Sequence, residues 1–250
     1  MTNKFDFVSD MNSLEEYLKS SKNIKICEPF QRECQRFTKI AEEYKNKASC
    51  LCNLAEEKVV REEYSVKGEV LHRGYYSPSP IIDIVIGNCN RGKLLKRLTT
   101  SSKVVFSYGF DRLNRLILVK NKTDDSISTT EVIEYYQNIA LGITFSPDFL
   151  ITQICEEIYE DNKIMFLSQA SFAAGSRIFN LHHEAFTYGS LGIRSSDFYI
   201  YNPDMPLLQH QQYHFQHDDE GYLSKYTVTE FQGESVWEDH VFDVRIKRKI

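Results

Sequence analysis

The chain of 250 residues has few glycines (11), few prolines (6), one tryptophan and no long apolar run. Scarce Gly and Pro beside 16 Phe and 15 Tyr exclude a disordered or low-complexity chain. No stretch approaches the roughly 20 apolar residues that cross a bilayer. Residues Met1 to Asp10 lack the apolar core of a secretory signal. These absences set the expectation of a soluble, cytoplasmic protein with no membrane partner. The motifs of common chemistries are missing too. Ala174-Gly-Ser176 lacks the second glycine of a nucleophile elbow. Gly87-Asn-Cys-Asn-Arg-Gly-Lys93 is followed by Leu94, so a phosphate loop's hydroxyl ligand for Mg²⁺ is absent. The cysteines lie at 27, 34, 50, 52, 89 and 155. Cys50-Leu-Cys52 is too tightly spaced for a zinc knuckle, and residues two apart on a helix point to different sides. All six read as reduced thiols, and no cofactor is expected.

What the chain does have is an uneven charge. From Ile151 to Val244 there are 15 acidic residues and four basic ones, Lys163, Arg177, Arg194 and Lys225. The remaining residues are net basic, so the overall charge of −5 conceals the split. An acidic region of this extent repels nucleic acid and anionic membrane and attracts basic surfaces.

The chain is long enough to bury a core unaided. Ser13-Leu-Glu-Glu16 is a capping box that opens a short helix, Leu14 to about Ser20. A second helix is expected to open at Pro29 and run to about Glu63. Its seam is Phe30, Cys34, Phe37, Ala41, Tyr44, Ala48, Leu51 and Ala55, alternating steps of four and three. That seam can lie on the protein's own sheet, or pair the 29–63 helix with a second copy as a dimer element.

After Tyr64, runs rich in Val, Ile, Tyr, Phe and Thr alternate with Asn, Asp and Gly. Turns fall near Asp111, Gln137, Asp161, Gly189 and Asp219, one hairpin about every 25 to 29 residues, as in an antiparallel meander. Lys93–Thr100 reads as a short helix. Phe106, Tyr108 and Phe110 share a face, while Asp239, Asp243, Arg245 and Lys247 share the outer face of the last strand. Such a sheet is apolar on one side and wet on the other. The expected fold is therefore α+β: N-terminal helices including one long amphipathic helix, followed by a large antiparallel β-meander. Residues 1–63 form the helical segment and 64–250 the meander, within one compact domain.

Two hairpins share a pattern. One is Tyr108-Gly-Phe-Asp111-Arg-Leu-Asn114-Arg115-Leu116, the other Phe215-Gln-His-Asp218-Asp-Glu-Gly221-Tyr222-Leu223. Asp starts each turn by bonding backbone amides, and Asn or Gly takes the positive-φ position. Ile158-Tyr-Glu-Asp161-Asn-Lys-Ile164 is a shortened version. The pattern resembles the YD repeats of bacterial RHS-type proteins. That resemblance implies a continuous twisted sheet of hairpins and no catalytic residue. In size, acidity and lack of a catalytic signature, the chain also looks like the immunity proteins of polymorphic and contact-dependent toxin systems. That likeness implies a basic protein partner, a toxin domain whose active site is covered.

Three candidate surfaces follow. For a protein partner, Asp218, Asp219, Glu220, Glu238, Asp239 and Asp243 would steer and contact, with Tyr213, Tyr222, Tyr226 and Trp237 as anchors. His210, His214 and Asp218 lie at even offsets, with His182-His183-Glu184 as a neighbouring source of ligands. They would be the metal ligands of a hydrolase, or histidines on a polar sheet face. Strand neighbours four apart are about 13 Å from each other, too far for one ion. For nucleic acid, Arg91, Lys93, Lys96, Arg97, Lys103, Arg112, Arg115, Lys120 and Lys122 form a local basic excess, opposed by the acidic half. The reading favoured is a non-enzymatic binding protein of the immunity type. The alternatives are the hydrolase and an RHS-like β-shell.

Overall fold

The computed structural model describes residues 16–70, 79, 81, 84, 92–99, 103–123, 126–173, 177–232 and 235–243. After a helical turn over 16–19, helix α1 (Ser21–Tyr44) opens behind Ser20, whose Oγ accepts the Asn23 amide at 3.1 Å. Pro29 lies inside α1 and does not open it. The capping box at Ser13 falls outside the described residues. The expected continuous helix from 29 to 63 is broken at residues 45–47, where the Lys47 amide bonds back only three residues to the Tyr44 carbonyl. Helix α2 (Ala48–Lys58) then resumes.

The break leaves the seam intact. Phe37, Ala41, Ala48 and Ala55 are buried in the largest core cluster, and Phe30, Cys34, Tyr44 and Leu51 pack against it. Helix α1 lies across the strands that follow at 151–160, 177–188 and 207–217, and α2 across those at 116–123 and 126–136. The face offered to a second copy is thus covered by the chain's own sheet.

The sheet has thirteen strands among the described residues, all paired antiparallel. They are β1 (Arg61–Val66), β2 (Lys93–Leu94), β3 (Phe106–Phe110), β4 (Leu116–Thr123), β5 (Ser126–Tyr136), β6 (Ile139–Phe145) and β7 (Ile151–Glu160). Then come β8 (Lys163–Ala173), β9 (Arg177–Tyr188), β10 (Ile193–Asn202), β11 (Leu207–His217), β12 (Leu223–Gln232) and β13 (Ser235–Asp243). From β3 to β13 each strand pairs with the next in sequence. At the other edge β1 lies beside β3, with the two-residue β2 outside it. In place of the short helix expected at Lys93–Thr100, residues 93–99 form β2 and an irregular stretch, and Thr100 lies outside the described residues.

The turns come where the punctuation placed them. Asp111 Oδ1 accepts the amides of Leu113 and Arg115, each at 2.9 Å, and Asp218 Oδ1 accepts those of Glu220 and Tyr222 at 3.0 and 2.8 Å. The positive-φ positions are Asn114 (59°) and Gly221 (79°). The shortened version differs: both Asp161 (49°) and Asn162 (62°) take positive φ, as a two-residue hairpin turn with the right twist demands.

One expectation is overturned: the central sheet is not wet on one side. Leu118 and Val119, Val132 and Ile133, Ala140 and Leu141, and Ile154 and Cys155 are sequence neighbours, all buried. Within each pair one member belongs to the cluster under the helices and the other to a different cluster. Successive strand residues point to opposite faces, so both faces are dry. Val70, Ile81 and Ile84 join the clusters on the face away from the helices. On β13 the alternation expected of the last strand is missing as well: Val241 and Phe242 are sequence neighbours and both are exposed.

Candidate docking surface

Where the helices stop, the helix-side face of β10 to β13 forms a grid set by strand register. One row runs Tyr199, His210, Phe231. The next runs Asp197, Gln212, Thr229, Asp239. A third is Ser195, His214, Thr227, Val241, and the last is Gln216, Lys225, Asp243. Directly opposed strand residues share a face, so each row is a line of side chains roughly 5 Å apart.

The first row is a stack of rings. The His210 imidazole lies between Tyr199 and Phe231, with centroid distances of 4.2 and 4.5 Å and planes within 12° and 14° of parallel. Its Nε2 is 2.9 Å from Asp197 Oδ1, which also accepts from Gln212 at 3.2 Å. Strand β13 carries the exposed Asp239, Val241 and Asp243 at the outer edge. Asp243 faces Lys225 beside the turn that holds Asp218, Asp219 and Glu220. Six carboxylates (Asp197, Asp218, Asp219, Glu220, Asp239 and Asp243) thus lie toward one corner of the sheet, and among the described residues Lys225 faces them.

The other acidic residues of the C-terminal half go elsewhere. Glu156 is held by Arg36, and Asp204 by Arg177 at 3.0 Å. Glu157 and Glu184 are fully buried on the face away from the helices. Glu184 Oε1 lies 2.7 Å from His182 Nε2, an ion-pair distance without hydrogen-bond alignment. Glu160 and Asp161 sit at the β7–β8 turn, and Glu230 accepts from Gln211 at 3.0 Å. Glu234, with the side chain of Glu238, lies outside the described residues. The negative surface is therefore smaller than the sequence count suggested, and it is concentrated at one corner.

Of the anchors expected, Tyr213 is 3% exposed within the core of the opposite face, and burial pushes its phenol pKa up. Tyr226 packs against the same cluster, and Tyr222 is half-buried at the turn. The side chain of Trp237 lies outside the described residues. Asp218 spends one oxygen on two backbone amides, so part of its role is architectural. The residues missed were Asp197, Tyr199 and Phe231. Their signal was the even spacing of 197 and 199, but the partner strands that complete the rows are not adjacent in sequence.

The histidines do not assemble a metal centre. His210 and His214 share a face, but His210 Nε2 is engaged by Asp197 and His214 Nε2 lies 3.1 Å from Gln212 Oε1. Asp218 lies beyond a register shift at Gln216 and His217. Among the described residues, no group of three His, Cys, Asp or Glu side chains could hold a metal ion. Of the basic residues considered for nucleic acid, Lys120 pairs with Glu56 at 2.6 Å and Arg115 with Asp111 at 2.7 Å. Lys93 lies on β2, at the edge opposite the acidic corner, and Arg91 lies outside the described residues. Among the described residues, no helix is long and apolar enough to cross a membrane. Comparison with protein-family models finds no match to this chain, and comparison with curated proteins finds none either.

Proposed function

We propose that the protein is a non-enzymatic binding protein that meets a basic protein partner through the helix-free corner of β10 to β13. Within that class, the reading is a bacterial, cytoplasmic immunity protein that covers the basic active site of a toxin domain. The observation that carries it is the gathering of Asp197, Asp218, Asp219, Glu220, Asp239 and Asp243 toward the corner with Lys225, beside the ring stack of Tyr199, His210 and Phe231. Long-range charge raises the association rate, and desolvated rings hold what has arrived. Strand β13 adds an outer edge whose backbone groups can accept a partner strand.

The test begins with the neighbouring gene. The reading expects it to encode a secreted protein with a variable C-terminal domain. That domain should co-elute with the chain at low salt and lose affinity steeply as salt rises. A neighbour of another kind, or no complex at low salt, overturns the reading.

The matching bonds of Asp111 and Asp218 also favour a second reading, an RHS-like structural β-shell. It predicts oligomers and no tight protein ligand, so sedimentation of the isolated chain separates the two.

A further inference from the structure

A cleft of about 550 Å³ opens between α1 and the helix-side face of the sheet, next to the ring stack of Tyr199, His210 and Phe231. Clefts of this size suit small molecules. Phe30 and Pro29 of α1 form one wall, and Ile139, Ile158, Phe166 and Leu181 form the other. The His183 ring lies 6.4 Å from Phe30, nearly edge-on at 86°, and 6.2 Å from Phe166. Phe166 is 44% exposed, an unusual place for a phenyl ring in a sheet whose central faces are dry.

Two polar features converge on this apolar space. Ser168 Oγ and His183 Nδ1 are bonded at 2.7 Å across β8 and β9. Burial holds the His183 pKa below its ordinary value, so the ring is neutral near pH 7 and has a nitrogen left for a ligand. Arg36 is shared between Glu33 and Glu156, both of which line the cleft. Two carboxylates against one guanidinium leave the rim with one surplus negative charge. Each carboxylate oxygen also keeps a lone pair beyond its bond to Arg36.

We infer that this cleft binds a small aromatic amine, with its ring among Phe30, Phe166 and His183 and its ammonium at Glu33 and Glu156. Charge decides between the candidates. An anion would meet the surplus carboxylate, and a plain hydrocarbon would bring no donor or charge to Glu33 and Glu156. A cationic amine on a compact ring satisfies both, and phenyl faces attract its charge. This inference does not draw on the docking reading, although the two surfaces adjoin at Tyr199, which lies 5.5 Å from Phe30 and 6.2 Å from His183.

Phenethylammonium, phenylacetate and 2-phenylethanol share a ring and differ in charge, so they are the probes. In NMR titrations of the full chain, phenethylammonium should bind about tenfold more tightly than either of the others, a difference of about 1.4 kcal/mol. Ring-current shifts should centre on the methyls of Ile158 and Leu181. Glu33→Gln should remove that preference and leave 2-phenylethanol unchanged. Phe166→Ser, at an exposed position that tolerates the change, should weaken all three. Equal binding of the cation and the anion, shifts centred on the acidic corner, or a preference that survives Glu33→Gln would each overturn the assignment.

Discussion

Arg36 of α1 grips Glu156 of β7 with both terminal nitrogens, at 2.9 Å each, across 120 residues of sequence. The Glu156 side chain is 15% exposed, so the pair is partly withdrawn from water and ties the helix to the sheet. Arg36→Ala should lower stability by about 1–2 kcal/mol, between the value of an exposed pair and that of a partly buried charged hydrogen bond. Arg36→Lys should recover little of this, because an ammonium cannot fork. Urea denaturation measures both, and an unchanged midpoint for Arg36→Ala would show that the helix is held without this pair.

The two Asp turns offer a matched comparison. Asp111→Ala and Asp218→Ala each remove an acceptor for two amides, and each should cost about 1–2 kcal/mol. Asp→Asn keeps the acceptor and should cost much less. Gly221→Ala places a methyl at φ 79° and should cost about 1–2 kcal/mol. Thermal melts of the five variants decide. Equal losses for Ala and Asn would mean that charge, and not the bonded oxygen, holds the turn.

Steering and architecture are separable at the acidic corner. Asp219 and Glu220 are exposed, and the Glu220 and Tyr222 amides of the turn go to Asp218. The double change Asp219→Lys with Glu220→Lys should leave the melting temperature within a degree or two, since surface changes away from structural features rarely exceed about 0.5 kcal/mol. It should also slow association with the proposed basic partner roughly tenfold at low salt. Asp218→Lys should destabilise the chain as well. A large drop in melting temperature for the double variant would assign Asp219 and Glu220 to the fold.

Acid should weaken the fold in two separate windows. Burial lowers the His183 pKa below 6.5, with the carboxylate of Glu33 opposing. The unfolded chain therefore takes up this proton first. Stability is full above pH 6.5 and falls as pH drops from there to the folded value. For Asp111, burial acts to raise the pKa, but the Arg115 amide and guanidinium and the Leu113 amide outweigh it and hold the carboxyl below the usual range. Its contribution is present above about pH 3.9 and is lost as pH falls through the folded value. Denaturation midpoints of wild type and His183→Gln between pH 7 and 5 test the first window. The variant should be flatter, and parallel curves would remove His183 from the linkage.

Several elements could be read directly from the sequence. The seam from Phe30 to Ala55 was legible because a four-three repeat has one geometric meaning, and all eight residues lie in or against the core. The turns were legible because Asp, Asn and Gly act on backbone within four residues. The interruption at 45–47 was not, since the apolar repeat runs through it unbroken. Nor were the buried carboxylates Glu157 and Glu184, which nothing near them in sequence distinguishes from the solvated Glu160.

The chain alone therefore determined where it bends and which side chains seek the interior, because conformational preference and hydrophobicity belong to each residue and its near neighbours. Only the folded arrangement decided which acidic groups remain at the surface. Arg36 neutralises Glu156 from the other end of the sequence, and Tyr213 is sealed by strands that flank its own. Burial and pairing depend on what arrives from far along the chain, and the strand order decides what arrives.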